Sequence, residues 1–272
     1  MKTKSALSYF GSDSEVAGQL AGLLNDRRHV TIPFVGGASI IPHLTARAIV
    51  ANDAHAAAVH FYRVLSGCCG EQARADLIAR CEHTLSHPGE LSSAQTILAR
   101  GDGANDSLRA WAFWAVCWIP RKGQGGTRTT PGLPSVRRTA NGGTNASRIK
   151  AAAGDLQAWA ISFERCEWSQ VCFRELLPKV ADDAGCGIYC DPPWIGAGRN
   201  YLHPFDEQAH RDLAELLQRF EHTAVVLRYG DDELLRELYP ADRWQWIEAT
   251  SRTQSNAVRG EVWIVNSEAP DE

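Results

Sequence analysis

The chain predicts an α/β fold: a mixed sheet with helices packed on it, interrupted by a basic insert between its two halves. Three observations carry this expectation. Short apolar runs that stop at Gly, Asp or Pro alternate with helix-like stretches on both sides of residues 66–155. The first two runs follow the order strand, glycine loop, helix, strand, acid, which opens a doubly wound nucleotide-binding sheet. The last two, 243–249 and 261–267, flank a polar loop and read as a hairpin-like pair, which makes the final strand antiparallel.

Each element has a local reason. Ser12-x-x-Glu15 ahead of Val16, Leu20, Leu23 and Leu24 has the form of a capping box that opens a helix. "HVTIPFVGGASI" (29–40) reads as a strand, a glycine turn and then a helix. "ARAIVAND" (46–53) is a second strand ending in an acid, and "AHAAAVHFYRVL" continues as a helix. Residues 66–108 are helical, with breaks near Gly67, Pro88 and Gly101–Gly103. In "RAWAFWAVCWIP" (109–120), Trp111, Trp114 and Trp118 form one helical stripe and Pro120 stops the helix. Such a stripe belongs to a core more often than to a base-stacking surface.

Residues 121–148 are dense in Gly, Thr, Asn and Pro and read as a long loop or irregular hairpins. A helix near 149–160 follows. "CGIYC" (186–190) and 223–230 are strands, 206–220 is an amphipathic helix, and "DDELLREL" is another. The expected division is therefore 1–65 and 156–272 for the two halves of the sheet domain, with 66–155 as the inserted subdomain.

The composition excludes several classes. With 272 residues, 44% hydrophobic and 22% charged, the chain supports one large domain with a subdomain. The opening "MKTKSALSYFGSDSE" lacks the apolar segment of a signal peptide, and no apolar run approaches a membrane span. Eight cysteines without a C-x-x-C pair argue against a zinc cluster and for reduced thiols in a reducing cytosol. The net charge of −4 excludes a uniformly basic nucleic-acid binder. Yet 107–154 contain no Asp or Glu, while holding Arg109, Arg121, Lys122, Arg128, Arg137, Arg138, Arg148 and Lys150. That is a local polyanion footprint, suited to a DNA-contacting loop, and if it grips phosphates its affinity falls steeply with salt. A plain disordered insert has similar composition.

Two features sit where strands end, the edge at which open α/β sheets bind ligands. The first is Pro33-Phe34-Val35-Gly36-Gly37-Ala38, followed by Asp53 at the end of the next strand. The glycines let the backbone approach a nucleoside, and Asp53 is suited to accept hydrogen bonds from ribose hydroxyls. There is no G-x-G-x-x-G fingerprint and no P-loop lysine, so phosphate binding is not implied. The second is "GIYCDPPWIG" (187–196), in which an apolar strand runs into Asp191, Pro192, Pro193 and Trp194. Neither proline can donate to a ladder, so the strand stops and a stiff finger leaves its end. The same tripeptide also serves ordinary turns. As chemistry, an Asp191 oxygen and the Pro192 carbonyl can accept both hydrogens of a planar exocyclic amine, while Trp194 offers a stacking face worth about 1–3 kcal/mol.

Taken in order, these motifs resemble the Dam-like, alpha-group DNA adenine-N6 methyltransferases, over nearly the whole chain. "YFGSDSEV" resembles that family's N-terminal cofactor motif, and "PFVGGASI" its Pro-Phe-x-Gly loop. Asp53 falls at the ribose-binding acid, and "CEWS" (166–169) resembles the acid-aromatic pair beside the cofactor adenine. "YCDPPW" resembles the catalytic motif, "NYLHPFDEQAHRDLAELL" the segment closing on the target base, and "SRTQSNAVRGEVWIVN" the R-x-x-S-N-x-x-R-x-E signature. The resemblance implies a Rossmann-like sheet that binds S-adenosyl-L-methionine without a metal, and a duplex DNA substrate with one adenine flipped out. It implies cofactor contacts from Tyr9, Phe10, Gly11, Ser12, Pro33, Phe34, Gly36, Gly37, Ala38, Asp53, Glu167, Trp168 and Asp191. Asp191, Pro192, Pro193 and Trp194 would form the catalytic finger. The basic insert takes the target-recognition position, with Arg121, Lys122, Arg128, Arg137 and Arg138 as DNA contacts. Tyr201 would join them near the target base. Arg252, Ser255, Asn256 and Arg259 suit a phosphate-contacting loop, or simple solvent exposure.

Three positions depart from the family: Trp194 stands where Tyr is usual, Asp13 where Lys is usual, and Ile32 where an acid is usual. These leave open a weakened, DNA-binding relic of the same fold. Methyl transfer to adenine in RNA, or to cytosine N4, also remains open, as does the setting: restriction-modification, phage or orphan. Tyr201 and Phe205 either surround the target base or anchor the next helix.

Overall fold

The computed structural model describes residues 5–9, 16–101, 104–120, 143–196, 202–252 and 258–266, and at 251, 252, 258 and 259 the backbone only. The chain divides into two compact units. One comprises 13–35, 43–54 and 165–272 and contains the sheet; the other comprises 1–12, 36–42 and 55–164 and is helical.

The strands are β1 (His29–Ile32), β2 (Ala48–Asn52), β3 (Cys166–Ser169), β4 (Cys186–Cys190), β5 (Ala224–Gly230), β6 (Gln245–Arg252) and β7 (Val258–Val265). They form one seven-stranded sheet in the order β3-β2-β1-β4-β5-β7-β6. The first five in that order are parallel, whereas β7 runs antiparallel to both β5 and β6. This is the Rossmann-like mixed sheet that the sequence leads one to expect, with its last strand reversed.

In the helical unit, α2 is Ala56–Leu65, α3 Glu71–Glu82, α4 Pro88–Ala99, α5 Asp106–Trp118, α6 Asn145–Gly154 and α7 Leu156–Phe163. The sheet unit carries α1 (Ala17–Gly22), α8 (Phe173–Leu176), α9 (Glu207–Gln218) and α10 (Glu233–Leu238). Among the described residues no helix is long and apolar enough to cross a membrane.

The sheet unit's core follows from its pattern. β5 is buried almost throughout, as a central strand covered on both faces should be. Asp206 caps α9 by accepting from Ala209 N at 2.9 Å. Leu213 and Leu217 of that helix join Val225, Leu227, Phe220 and Trp244 in one buried hydrophobic cluster. Gly187 in β4 is glycine for want of room. A Cβ there would lie 2.8 Å from Leu24 Cδ2 and 3.2 Å from Arg27 Cγ.

At the edge where the parallel strands begin, three side chains tie loops together. Arg165 donates to the carbonyls of Ala46 and Leu44 at 2.8 and 2.6 Å. Asp182 accepts from the N–H groups of Glu221, His222 and Thr223 at 2.8–3.0 Å. Asn266 accepts from Val225 N at 2.7 Å and donates to Phe220 O and Thr223 O.

Several expectations need correction. The helix expected after the glycine turn is a single 3-10 turn, Ile41–His43. The backbone of Leu44–Ala46 is claimed by tertiary partners instead: Arg165 takes two carbonyls, and Thr45 bonds Asn25 at 2.6 and 3.1 Å. The helix near 149–160 is two, divided at Asp155. β3 is a strand where the sequence shows no apolar run, because it pairs on one side only and is partly exposed. Pro88 opens α4 at its first turn, where its missing N–H costs nothing. The capping box at Ser12–Glu15 lies outside the described residues.

The tryptophan stripe is core. Trp111 and Trp114 are fully buried and Trp118 nearly so. Trp111 Nε1 donates to Thr84 Oγ1 at 2.7 Å, and α5 packs against α2, α3 and α4. The end of α5 and the start of α6 are clamped together. Arg148 reaches the carbonyls of Trp118 and Pro120, and Asn145 donates to Ile119 O and Ser86 Oγ, both at 2.8 Å. Arg148 is thus a structural clasp within the acid-free stretch.

Candidate active site

The parallel strands deliver their C-terminal ends to one edge of the sheet. β1 lies between β2 and β4, so Pro33, Asp53 and Asp191 leave neighbouring strand ends. With about 4.8 Å between strands, the backbones at Asp53 and Asp191 leave the sheet roughly 10 Å apart. The chain runs from β1 to β2 on one side and from β4 to β5 on the other. The β1/β4 seam is therefore the topological switch point, where crevices form in such sheets.

A buried staple that the sequence reading missed organises this edge. Asn52, 1% exposed, donates through Nδ2 to Pro33 O at 2.9 Å and to Val171 O at 3.0 Å. Its Oδ1 accepts from Val171 N at 3.0 Å. One amide thus joins the segments leaving β1, β2 and β3 and fixes where Asp53 begins. Asp53 N in turn donates to Ser169 O at 3.3 Å.

The finger after β4 is held by charge. Asp191 Oδ1 accepts from the Trp194 indole at 3.2 Å, and Oδ2 pairs with Arg228 Nη1 at 3.1 Å. Arg228 Nη2 meets Glu261 Oε2 at 2.8 Å, and Glu261 Oε1 accepts from Trp263 Nε1 at 3.0 Å. The side chains of Glu261 and Arg228 are 0% and 5% exposed, whereas that of Asp191 is 15% exposed. Of the three charges, only Asp191 reaches solvent appreciably. The guanidinium carbon also stands 5.2 Å from the centre of the Trp194 ring. Neither Arg228 nor Glu261 was legible as a partner of Asp191. The signals were a lone arginine inside an apolar strand and Glu261 as the last residue of the R-x-x-S-N-x-x-R-x-E signature, and neither names Asp191 as the group it supports. Next to Asp191, burial pushes the Cys190 thiol well above its ordinary range.

An aromatic group flanks the β1 side. Phe34, Phe173 and Phe205 stand 5.5–5.6 Å apart by ring centres, and Phe205 meets His210 edge-on at 4.7 Å. Phe205 thus packs on this group and on His210 of α9. His210 is buried, its Nδ1 lies 3.1 Å from Tyr229 Oη, and desolvation lowers its pKa to about 4.

The remaining expected residues are distributed as follows. Glu167 is exposed and Trp168 half-buried on β3, whose Trp168 and Ser169 pair with Ala51 and Asn52. Pro33, Phe34, Asp53 and the finger residues Asp191, Pro192, Pro193 and Trp194 also belong to the sheet unit. Tyr9, Gly36, Gly37 and Ala38 belong to the helical unit. There Gly36 has φ +47° and its carbonyl accepts from Tyr62 Oη at 2.6 Å. Ala38 has φ +59°, left-handed geometry that strains a residue with a Cβ and recurs where binding loops are over-determined. Phe10, Gly11, Ser12 and Asp13 lie outside the described residues, as do Arg121, Lys122, Arg128, Arg137, Arg138, Tyr201, Ser255 and Asn256 and the side chains of Arg252 and Arg259.

By sequence, no family model and no curated protein matches the chain. By structure, it is similar to precorrin 8W decarboxylase of Methanobacterium thermoautotrophicum, with TM-score 0.40 and 10% identity, covering 96% of this chain and 94% of that one. It is also similar to precorrin-6y C5,15-methyltransferase of Geobacter metallireducens, with TM-score 0.39 and 10% identity, covering 93% and 87%. An rRNA methylase of Streptococcus thermophilus gives TM-score 0.38 and 10% identity, covering 95% and 99%. The strand order itself, rather than these likenesses, defines the fold class.

Proposed function

We propose that the protein is an S-adenosylmethionine-dependent methyltransferase that acts on the exocyclic amine of adenine in duplex DNA. The observation that supports this most is the position of Asp191: a partly exposed carboxylate at the end of β4, beside the switch point, within the Asp-Pro-Pro-Trp finger.

The sheet unit offers groups that suit the cofactor. An acid, Asp53, and a half-buried aromatic, Trp168, lie at the ends of the paired strands β2 and β3. Asp53 would accept from the ribose hydroxyls and Trp168 would pack on the adenine. The roles of Tyr9, Gly36, Gly37 and Ala38, and of the exposed Glu167, rest on the sequence resemblance alone. When bound, the cofactor supplies an electrophilic methyl group.

Asp191 and the Pro192 carbonyl would accept the two N–H groups of the target amine and aim the nitrogen lone pair outward. Each carboxylate oxygen offers two lone-pair directions, so the indole and guanidinium contacts are compatible with an amine N–H. The nitrogen becomes cationic on gaining the methyl group and loses one proton to water. Asp191 thus stabilises charge and orients the amine, and serves little as a base. The acid-free, cationic stretch 107–154 suits a nucleic-acid substrate, and the order of the motifs favours adenine in duplex DNA over RNA or cytosine.

The experiment is a tritiated methyl-transfer assay on duplex DNA, single strands and RNA, followed by nucleoside analysis. N6-methyladenine from duplex DNA is expected, and Asp191→Ala should abolish it while cofactor binding persists. Product from RNA or cytosine alone would replace the substrate assignment. An Asp191→Ala variant with near-normal turnover would remove Asp191 from the mechanism.

A further inference from the structure

We infer that Arg228, gripped by Glu261, is a positioning residue that sets how the Asp191 carboxylate and the Trp194 ring face the target base. This inference rests on the amine-methyltransferase reading above.

Arg228 needs an explanation that folding does not give. It sits in β5 between Leu227 and Tyr229, both fully buried. An apolar side chain in a doubly covered strand is neutral or better for stability than a buried ion pair. What the arginine gains is reach. Cys190 pairs with Leu227 across the β4/β5 ladder, so Asp191 and Arg228 leave the register side by side. Arg228 pairs with Trp263, and Gly230 with Glu261, across the β5/β7 ladder, which sets Glu261 on the guanidinium's other side.

The guanidinium then uses one nitrogen for each carboxylate, at 3.1 and 2.8 Å. A planar fork does this from one rotamer, whereas an ammonium is a point charge that cannot reach both in fixed directions. Glu261 is itself held by the Trp263 indole. Fixity therefore passes from β7 through β5 to the finger after β4, and it ends on the two side chains assigned to the base: the acceptor carboxylate and the stacking ring. The three charges sum to minus one, with the surplus on the solvent-reaching member. That sign suits the cation formed on the amine.

Removing Arg228 alone strands the fully buried Glu261, so the principal variant is the pair R228M/E261Q. Gln keeps the acceptor for Trp263, and Met fills the arginine stem without a charge. The expected result is cofactor affinity and KM for DNA within about threefold of wild type, with kcat lowered about 100-fold, the cost of a misaligned reacting group. R228K should restore part of kcat. A folded double variant with kcat within threefold of wild type overturns the inference. Should that variant not fold, R228K decides: full wild-type kcat overturns the need for the fork.

A crystal structure of R228M/E261Q tests the same point without turnover. A rotated Asp191 carboxylate supports the inference, and an unmoved one overturns it. If the wild-type protein methylates no nucleic acid, the amine reading falls, and this structure still decides what Arg228 does.

Discussion

Replacing Asn52 probes whether one amide holds the ligand-binding edge together. Asn52→Ala removes three hydrogen bonds and leaves the Val171 N–H and the carbonyls of Pro33 and Val171 to find other partners. At 1% exposure, water reaches the site poorly. A buried polar group left unmet costs roughly 1–3 kcal/mol, and carbonyls sit at the low end, so the total is about 3–5 kcal/mol.

Asn52→Asp separates the donor from the acceptor. The carboxylate still accepts from Val171 N, but its second oxygen faces two carbonyl oxygens, which raises the folded-state pKa above the ordinary value of about 3.9. A raised pKa means that the protonated form is the one favoured in the fold. The variant is therefore least impaired below about pH 4, and it loses stability as pH rises through the folded value. Urea unfolding followed by circular dichroism, between pH 4 and 7.5, measures both effects at constant m. On the proposed methyltransferase reading, affinity for S-adenosylmethionine should weaken in both variants, because Asp53 follows the staple. A loss under about 1 kcal/mol for Asn52→Ala, or an Asn52→Asp penalty that ignores pH, would refute the reasoning.

Three further outcomes follow from the structure. Gly187→Ala should destabilise the sheet unit by about 1–3 kcal/mol through overpacking against Leu24 and Arg27, seen as a lower urea midpoint; an unchanged midpoint would show that the turn after α1 yields freely. Three backbone N–H groups hold the Asp182 pKa down to about 2, although burial opposes them. Its contribution is present above pH 4 and lost as pH falls towards 2, so Asp182→Asn should flatten that part of the stability profile, and a parallel profile would count against the cap. His210, whose pKa burial lowers to about 4, must be neutral in the fold. Stability should therefore fall as pH drops from 6.5 to 4, and His210→Gln, measured by thermal unfolding, should remove that slope.

How much of this was legible before folding depends on the range of the interaction involved. Local signals read well. The apolar runs became β1, β2, β4 and β5, because strand pattern and terminating Gly, Asp or Pro act over a few residues. The tryptophan stripe became the core of α5 for the same reason. Where long-range partners outbid local preference, the reading failed: Arg165 and Asn25 claim the backbone at 44–46, and β3 exists only because β2 offers it a ladder.

The candidate site divides along the same line. The amino-acid sequence by itself determined which chemistry is on offer: an acid before two prolines and an aromatic at one strand end, another acid at a second, and cations without acids in between. Only the tertiary structure decided who holds those groups. Asn52 reaches across 119 positions to Val171, and Glu261 reaches Asp191 through Arg228 by way of two ladders. Even where a motif marks such a residue, as it does Glu261, no local signal names the group it holds, because a buried charge or amide is specified by what the sheet order sets beside it.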